Sequence, residues 1–256
     1  MGRSDDRKRS QRCACGAPAT TGTCPVCKWP SEPIPAPSTL PKILGPLLAL
    51  ALVGAGLGVV NAPGVASTID PVGEAADRCD EYPAPATDPV SIQDLLLPAA
   101  AVPAGLEPVT DPRFNGPLDL EGAANLDEET ASTTRVSLEA NGFEAGFQRA
   151  WTDGRTVILS VVFAFEAPEG ACAFYVEQEV AIQSDPGVED FPVPGVDGAV
   201  GYTDDGSDDP EPYYGHTVYM VRGRYVIQVL LVGIGDNRPG VDQVLPLVDA
   251  QDEVTR

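Results

Sequence analysis

Apolar positions along the chain change spacing in a way that predicts one membrane-length segment followed by an α+β region. From Ile43 to Thr68 no residue is charged, and ILGPLLALALVGAGLGVVNA (43–62) is almost wholly apolar. Twenty helical residues rising about 1.5 Å each cross a hydrocarbon core about 30 Å thick, so 43–62 is expected to be a transmembrane helix. Later apolar runs such as YVIQVLLVG (225–233) are too short to cross. FEAGFQRAW (143–151) alternates Phe143, Ala145 and Phe147, with Trp151 in the same register, the pattern of a half-buried strand. TVILSVVFAF (156–165) is a nearly continuous β-branched and aromatic run, and Asp153-Gly154 between the two predicts a hairpin. A second hairpin is expected where TVYMV (217–221) and YVIQVLLVG flank Arg222-Gly223-Arg224. Helices are predicted over Leu126 to Ala140, stopped by Asn141-Gly142, and over 167–183, with Ala171, Phe174, Tyr175, Gln178 and Ile182 on one stripe. A short strand is expected at Ala199–Thr203, and a terminal helix from Pro239 that Pro246 kinks or restarts. The fold class is therefore α+β, an antiparallel sheet of two hairpins packed against helices.

Charge gives this layout an orientation. Residues 1–42 hold seven Lys or Arg against three acids, whereas the remainder holds nine Arg against 35 acids, within a total of −22. Seven cations before the apolar run and none for some fifteen residues after it predict a cytoplasmic N-terminus and an extracytoplasmic C-terminal region. A cleaved signal peptide is the rival reading, since GVAST offers small residues, but a short basic leader is replaced here by about 42 residues with four cysteines. The expected organisation is a basic tail over 1–29, a Pro-rich spacer over 30–42, the span, a linker over 63–90 and a folded domain over 91–256. Gly54 and Gly58 make a GxxxG spacing, which a helix this rich in Gly and Ala produces by chance. So acidic a region after residue 42 repels a phosphate backbone, which excludes nucleic acid as its partner.

The compartments separate the chemistry of the six cysteines. Cys13, Cys15, Cys24 and Cys27 fall as CxC and CPxC separated by eight residues, on the reducing side, where disulfides do not persist. Four soft thiolates in two tight turns suit a tetrahedral, structural zinc site. Gly16 and Pro25 shape those turns, and Arg7, Lys8, Arg9, Arg12 and Lys28 offset the charge of a zinc tetrathiolate. The competing readings are a flexible tail with reduced thiols and a thioredoxin-type motif, for which the βαβ context is missing. Residues 12–29 resemble the miniature zinc ribbons at the N-termini of prokaryotic membrane proteins, with a first pair one residue shorter than the usual CxxC. That resemblance implies a folded tail that could dock a cytoplasmic partner. Cys79 and Cys172, on the oxidising side, are expected to pair, and closing a loop of about 90 residues stabilises by roughly 4–5 kcal/mol in the chain-entropy account.

The order hairpin, helix, hairpin, terminal helix, with FPVPGVDGAVGY (191–202) and VYMVRGRYVIQVLL (218–231), resembles small secreted α+β domains of actinobacterial lipoproteins and membrane-anchored proteins. Mog1/PsbP-like domains are the nearest fold analogy. The resemblance implies a binding or sensing module and no particular activity.

Candidate catalytic chemistry is thin. His216 is the single histidine, with no evident triad partners, and reads as a strand-edge residue. TDDGSDDPEP (203–212) offers Asp204, Asp205, Asp208 and Asp209 to a calcium ion but lacks EF-hand spacing, so the acidic stretch 184–215 reads first as a solvated loop. Tyr213, Tyr214 and Tyr219 are candidates for lining a ligand or partner groove, or for core packing. No phosphate-binding, zinc-protease or nucleophile-elbow motif occurs. The expectation is a non-enzymatic, single-pass membrane protein whose outer domain binds an envelope ligand or protein. An envelope scaffold and a carboxylate-dependent cell-wall enzyme are the alternatives.

Overall fold

Strands whose odd and even positions are both apolar need cover on both faces. Thr156–Phe165 and Tyr225–Ile234 are such strands, and they pair with each other at the centre of one antiparallel sheet. The structure, a computed structural model, describes residues 91–126, 130–183, 185, 187–206 and 212–256. The expected tail, spacers and transmembrane helix, with Cys13, Cys15, Cys24, Cys27 and Cys79, lie outside the described residues.

The strands are β1 (Glu107–Pro108), β2 (Asn115–Leu118), β3 (Phe143–Thr152), β4 (Thr156–Phe165), β5 (Val188–Phe191), β6 (Ala199–Gly206), β7 (Tyr213–Arg222) and β8 (Tyr225–Ile234). Their order is β1-β3-β4-β8-β7-β6-β5, with β2 also paired to β3. The helices are α1 (Leu120–Ala124), α2 (Ala131–Ala140), α3 (Pro168–Gln183) and α4 (Val241–Thr255). The mixed α+β class, the antiparallel sheet and both central hairpins match the reading of the sequence. In the β3–β4 turn Asp153 Oδ1 accepts the N–H groups of Arg155 and Thr156, at 2.8 and 2.7 Å. Gly154 and Gly223 take the positive φ that these tight turns require, 88° and 55°.

Two cores result. Odd positions of β4 (Val157, Leu159, Val161, Phe163 and Phe165) pack with Leu138 of α2 and with Phe174, Tyr175 and Ile182 of α3. Even positions (Ile158, Val162 and Ala164) pack with Leu95–Leu97 and with Val244, Leu247 and Val248 of α4. Polar clamps fix that second layer. Ser160 accepts the Leu97 N–H at 3.1 Å and donates to Gln251 at 2.9 Å, while Gln251 Nε2 donates to Leu95 O. Arg222, at the end of β7, is buried in an ion pair with Asp252 of α4, and its Nη1 also donates to Asp197 O at 2.8 Å.

Several local expectations change. A bulge between Phe143 and Ala145 shifts the phase of β3, so Phe143 joins the α3-side core and Phe147 the opposite one. The buried alternate positions are Gly146, Gln148 and Ala150 rather than the predicted Ala145 and Phe147. The helix expected from Leu126 starts at Ala131, and a separate turn, α1, precedes it. α4 begins at Val241, where Gln243 Oε1 accepts the Gly240 N–H at 2.9 Å, and continues through Pro246 without a break. The carbonyl that Pro246 leaves unbonded belongs to exposed Asp242, where water can take its place.

Gly170, in the first turn of α3, marks the closest approach of helix to loop. A Cβ there would lie 2.1 Å from Asn141 O. Alanine normally gains about 1 kcal/mol over glycine within a helix, but here backbone must move to admit it. Gly170→Ala is expected to lower stability by about 1–3 kcal/mol in urea denaturation; a gain would show that α3 docks more loosely than described.

Candidate functional site

Cross-strand register assembles a set of polar side chains beneath α3. Gln148 on β3 stands opposite Val161 on β4, Val161 opposite Gln228 on β8, Gln228 opposite Tyr219 on β7, and Tyr219 opposite Val200 on β6. With strands about 4.8 Å apart, these residues form one row across the sheet. Tyr202, two positions along β6, shares the face, its ring centroid 6.3 Å from that of Tyr219. α3 packs across β4, β8 and β7 and buries Tyr175 and Gln178, one helical turn apart.

Hydrogen bonds fix part of this row. Gln148 Nε2 donates to Arg113 O, and Gln228 Nε2 donates to the Tyr219 hydroxyl oxygen at 3.1 Å. Gln148 and Gln178 are 1% and 3% exposed, yet Oε1 of each has no hydrogen-bond partner. A buried acceptor in that state costs about 1–3 kcal/mol. Burial, with a smaller contribution from Tyr202, pushes the Tyr219 phenol far above its ordinary range against the opposing bond from Gln228, so it stays neutral. The row is thus an uncharged seam of amides and phenols inside an apolar core.

The residues singled out in the sequence are dispersed. His216 faces the other side of the sheet, where its Nε2 lies 2.9 Å from Pro239 O and its Nδ1 3.0 Å from Thr203 Oγ1. A carbonyl can only accept, so Nε2 carries the proton and Nδ1 accepts from the threonine hydroxyl. Rings of Phe191 and Tyr214 meet the imidazole edge-on at 5.6 and 5.3 Å. His216 thereby fastens β6 and the segment before α4 to β7. Desolvation lowers its pKa, outweighing the Pro239 carbonyl and the Asp242 charge.

Asp204 accepts the Tyr213 hydroxyl at 3.1 Å, Asp205 pairs with Arg238 at 2.9 Å, and Asp208 and Asp209 lie outside the described residues. Among the described residues no cluster of His, Cys, Asp or Glu could hold a metal ion. Nor is any described helix long and apolar enough to cross a membrane. Tyr213, Tyr214 and Tyr219 do not line one groove, because Tyr214 points to the face opposite the other two: Arg238 lies 4.9 Å over its ring while Tyr219 is deep in the α3-side core. Cys172 is buried on α3 and disulfide-bonded.

Sequence reasoning passed over Gln148, Gln228 and Tyr202. The available signal was a lone polar residue at a position covered on both sides, Gln228 within YVIQVLLVG being the clearest case.

No protein-family model matches the chain, and no curated protein matches it. Among solved structures, the chain is similar to the extracellular domain of PknH from Mycobacterium tuberculosis, at 14% identity and a TM-score of 0.46, covering 65% of this chain and 97% of that one.

Because the folded state favours neutral His216, the unfolded chain takes up a proton below about pH 6.5 that the folded chain resists. Stability is expected to fall through that window on acidification. With a single histidine in the chain, His216→Gln isolates the effect: the variant should lose less stability than the parent between pH 7 and 5, and equal slopes would contradict the burial argument.

Proposed function

We propose that the protein is a non-enzymatic, single-pass membrane protein whose domain over 91–256 binds a small ligand at the outer side of the cell envelope. The observation that carries this reading is the uncharged seam on the α3 side of the sheet, where the Gln148 and Gln178 amide oxygens are buried in an apolar core without a protein partner. Convergent polar groups in apolar surroundings are what a specific small-molecule site requires. Amides and neutral phenols are poor acids and bases near pH 7, which favours binding over catalysis. The large apolar side chains exposed among the described residues are Val136, Val180 and Val254, one on each of three helices. That is little area for a permanent protein interface, so the scaffold reading is set second.

In this reading Cys13, Cys15, Cys24 and Cys27 hold a structural zinc ion on the cytoplasmic side, and residues 43–62 anchor the chain. Cys172 pairs with Cys79, the remaining cysteine of the outer region, which ties the linker to α3. That pairing is supported by the disulfide-bonded state of Cys172 and by the lack of any other cysteine between 91 and 256.

Two measurements test it. In intact cells a membrane-impermeant maleimide should label no cysteine until a reductant frees Cys79 from Cys172, and labelling of Cys13 or Cys27 from outside would overturn the orientation. Solvent extraction of the purified full chain, followed by mass spectrometry, should release a stoichiometric small molecule absent from a Gln178→Leu preparation. Identical extracts from the two would count against a ligand at this site.

A further inference from the structure

We propose that the seam takes a small uncharged molecule presenting hydroxyl or amide N–H donors, with Gln148 Oε1 and Gln178 Oε1 as its acceptors. This rests on the binding-module reading above and names the ligand chemistry it requires.

The orientation of the Gln148 amide is set by its neighbour. Its Nε2 is committed to Arg113 O, so reversing the amide would place oxygen against oxygen. Gln148 therefore presents its Oε1 acceptor to the interior. Gln228 Nε2 donates to the Tyr219 hydroxyl oxygen. Gln148 and Gln228 stand about 10 Å apart across β4, two strand spacings, and the side chain between them is Val161, which can neither donate nor accept. Gln178 is buried on α3, one helical turn beyond Tyr175. Each of these two acceptors, one on the sheet and one on the helix, requires a group that brings a donor.

Charge excludes two classes of occupant. The seam itself holds amides and phenols, with Tyr219 kept neutral by burial, so an ion bound there would lack a counter-charge. Anions are also repelled on approach by the 35 acidic residues that follow residue 42.

The row ends on Val200, which is half-buried, one residue beyond the last β5–β6 pair, Phe191 opposite Gly201.

The test uses the full chain in detergent micelles, with saturation-transfer NMR and thermal unfolding, and probes of one shape and different charge. Benzamide and myo-inositol are the neutral donors; benzoate and benzylamine are the charged controls. Saturation transfer to at least one neutral probe is expected, with neither control responding. Gln178→Leu should weaken that binding roughly tenfold or more while raising the unliganded midpoint by about 2–4 °C, since an unpaired acceptor is lost. The raised midpoint shows that the variant is folded. Binding of benzoate or benzylamine instead would overturn the ligand chemistry and leave the binding-module reading standing. No response to any probe, or neutral-probe binding unchanged by Gln178→Leu, would overturn the site, and an accompanying fall in midpoint would identify Oε1 as bridged by an ordered water only.

Discussion

Burial of the β4–β8 pair on both faces is the constraint from which the rest of the domain follows. Two adjacent ten-residue strands with scarcely a polar side chain cannot leave either face to water. α3 and the short helices before it cover one face; α4 and the Leu95–Leu97 segment cover the other. Specific polar bonds supplement both covers. On the α4 side these are complete. Ser160, Gln251 and the Leu95 and Leu97 backbone satisfy one another, and Arg222 with Asp252 closes the far end of the helix. Removing one member of such a buried ion pair typically costs about 3–5 kcal/mol.

The α3 side is built differently. There the sheet presents glutamines and tyrosines in a row, and the helix answers with Tyr175 and Gln178, yet two amide oxygens keep no partner. Leucine at either position would pack the same volume without that cost. One face completes its polar network while the other leaves the Gln148 and Gln178 oxygens without a partner, an asymmetry that the proposed binding role would use. The free domain would then hold α3 less firmly than α4, and a ligand bringing donors would stabilise the folded state by mass action.

Much of the architecture could be read in the chain before the structure, and the residues show why the rest could not. Asp153-Gly154 and Arg222-Gly223-Arg224 between long apolar runs announce both hairpins through local turn chemistry. The register of β3 was misread because a one-residue bulge after Phe143 inverts the alternation, and bulges carry no dependable local signature. β1, β2 and β5 were missed because they are two to four residues long, and β1 and β2 each contain a proline. Pro246 was expected to kink or restart the helix, but it removes a bond only at the exposed start of α4, where water can compensate. The seam was half visible: Gln178 falls on the apolar stripe of its helix, and Gln228 interrupts an apolar strand. That Gln148 joins them depends on the pairing of four strands, information that no local window holds.

The central claim is that the seam is a ligand site rather than a defect in packing. A crystal structure of the full chain purified from its own membranes, at a resolution that separates water from carbon skeletons, tests it most directly. The account predicts an organic molecule between the sheet and α3, with donors within 3.2 Å or so of Gln148 Oε1 and Gln178 Oε1. The contradicting result is a seam closed on itself, both amide oxygens paired with protein groups or with isolated waters.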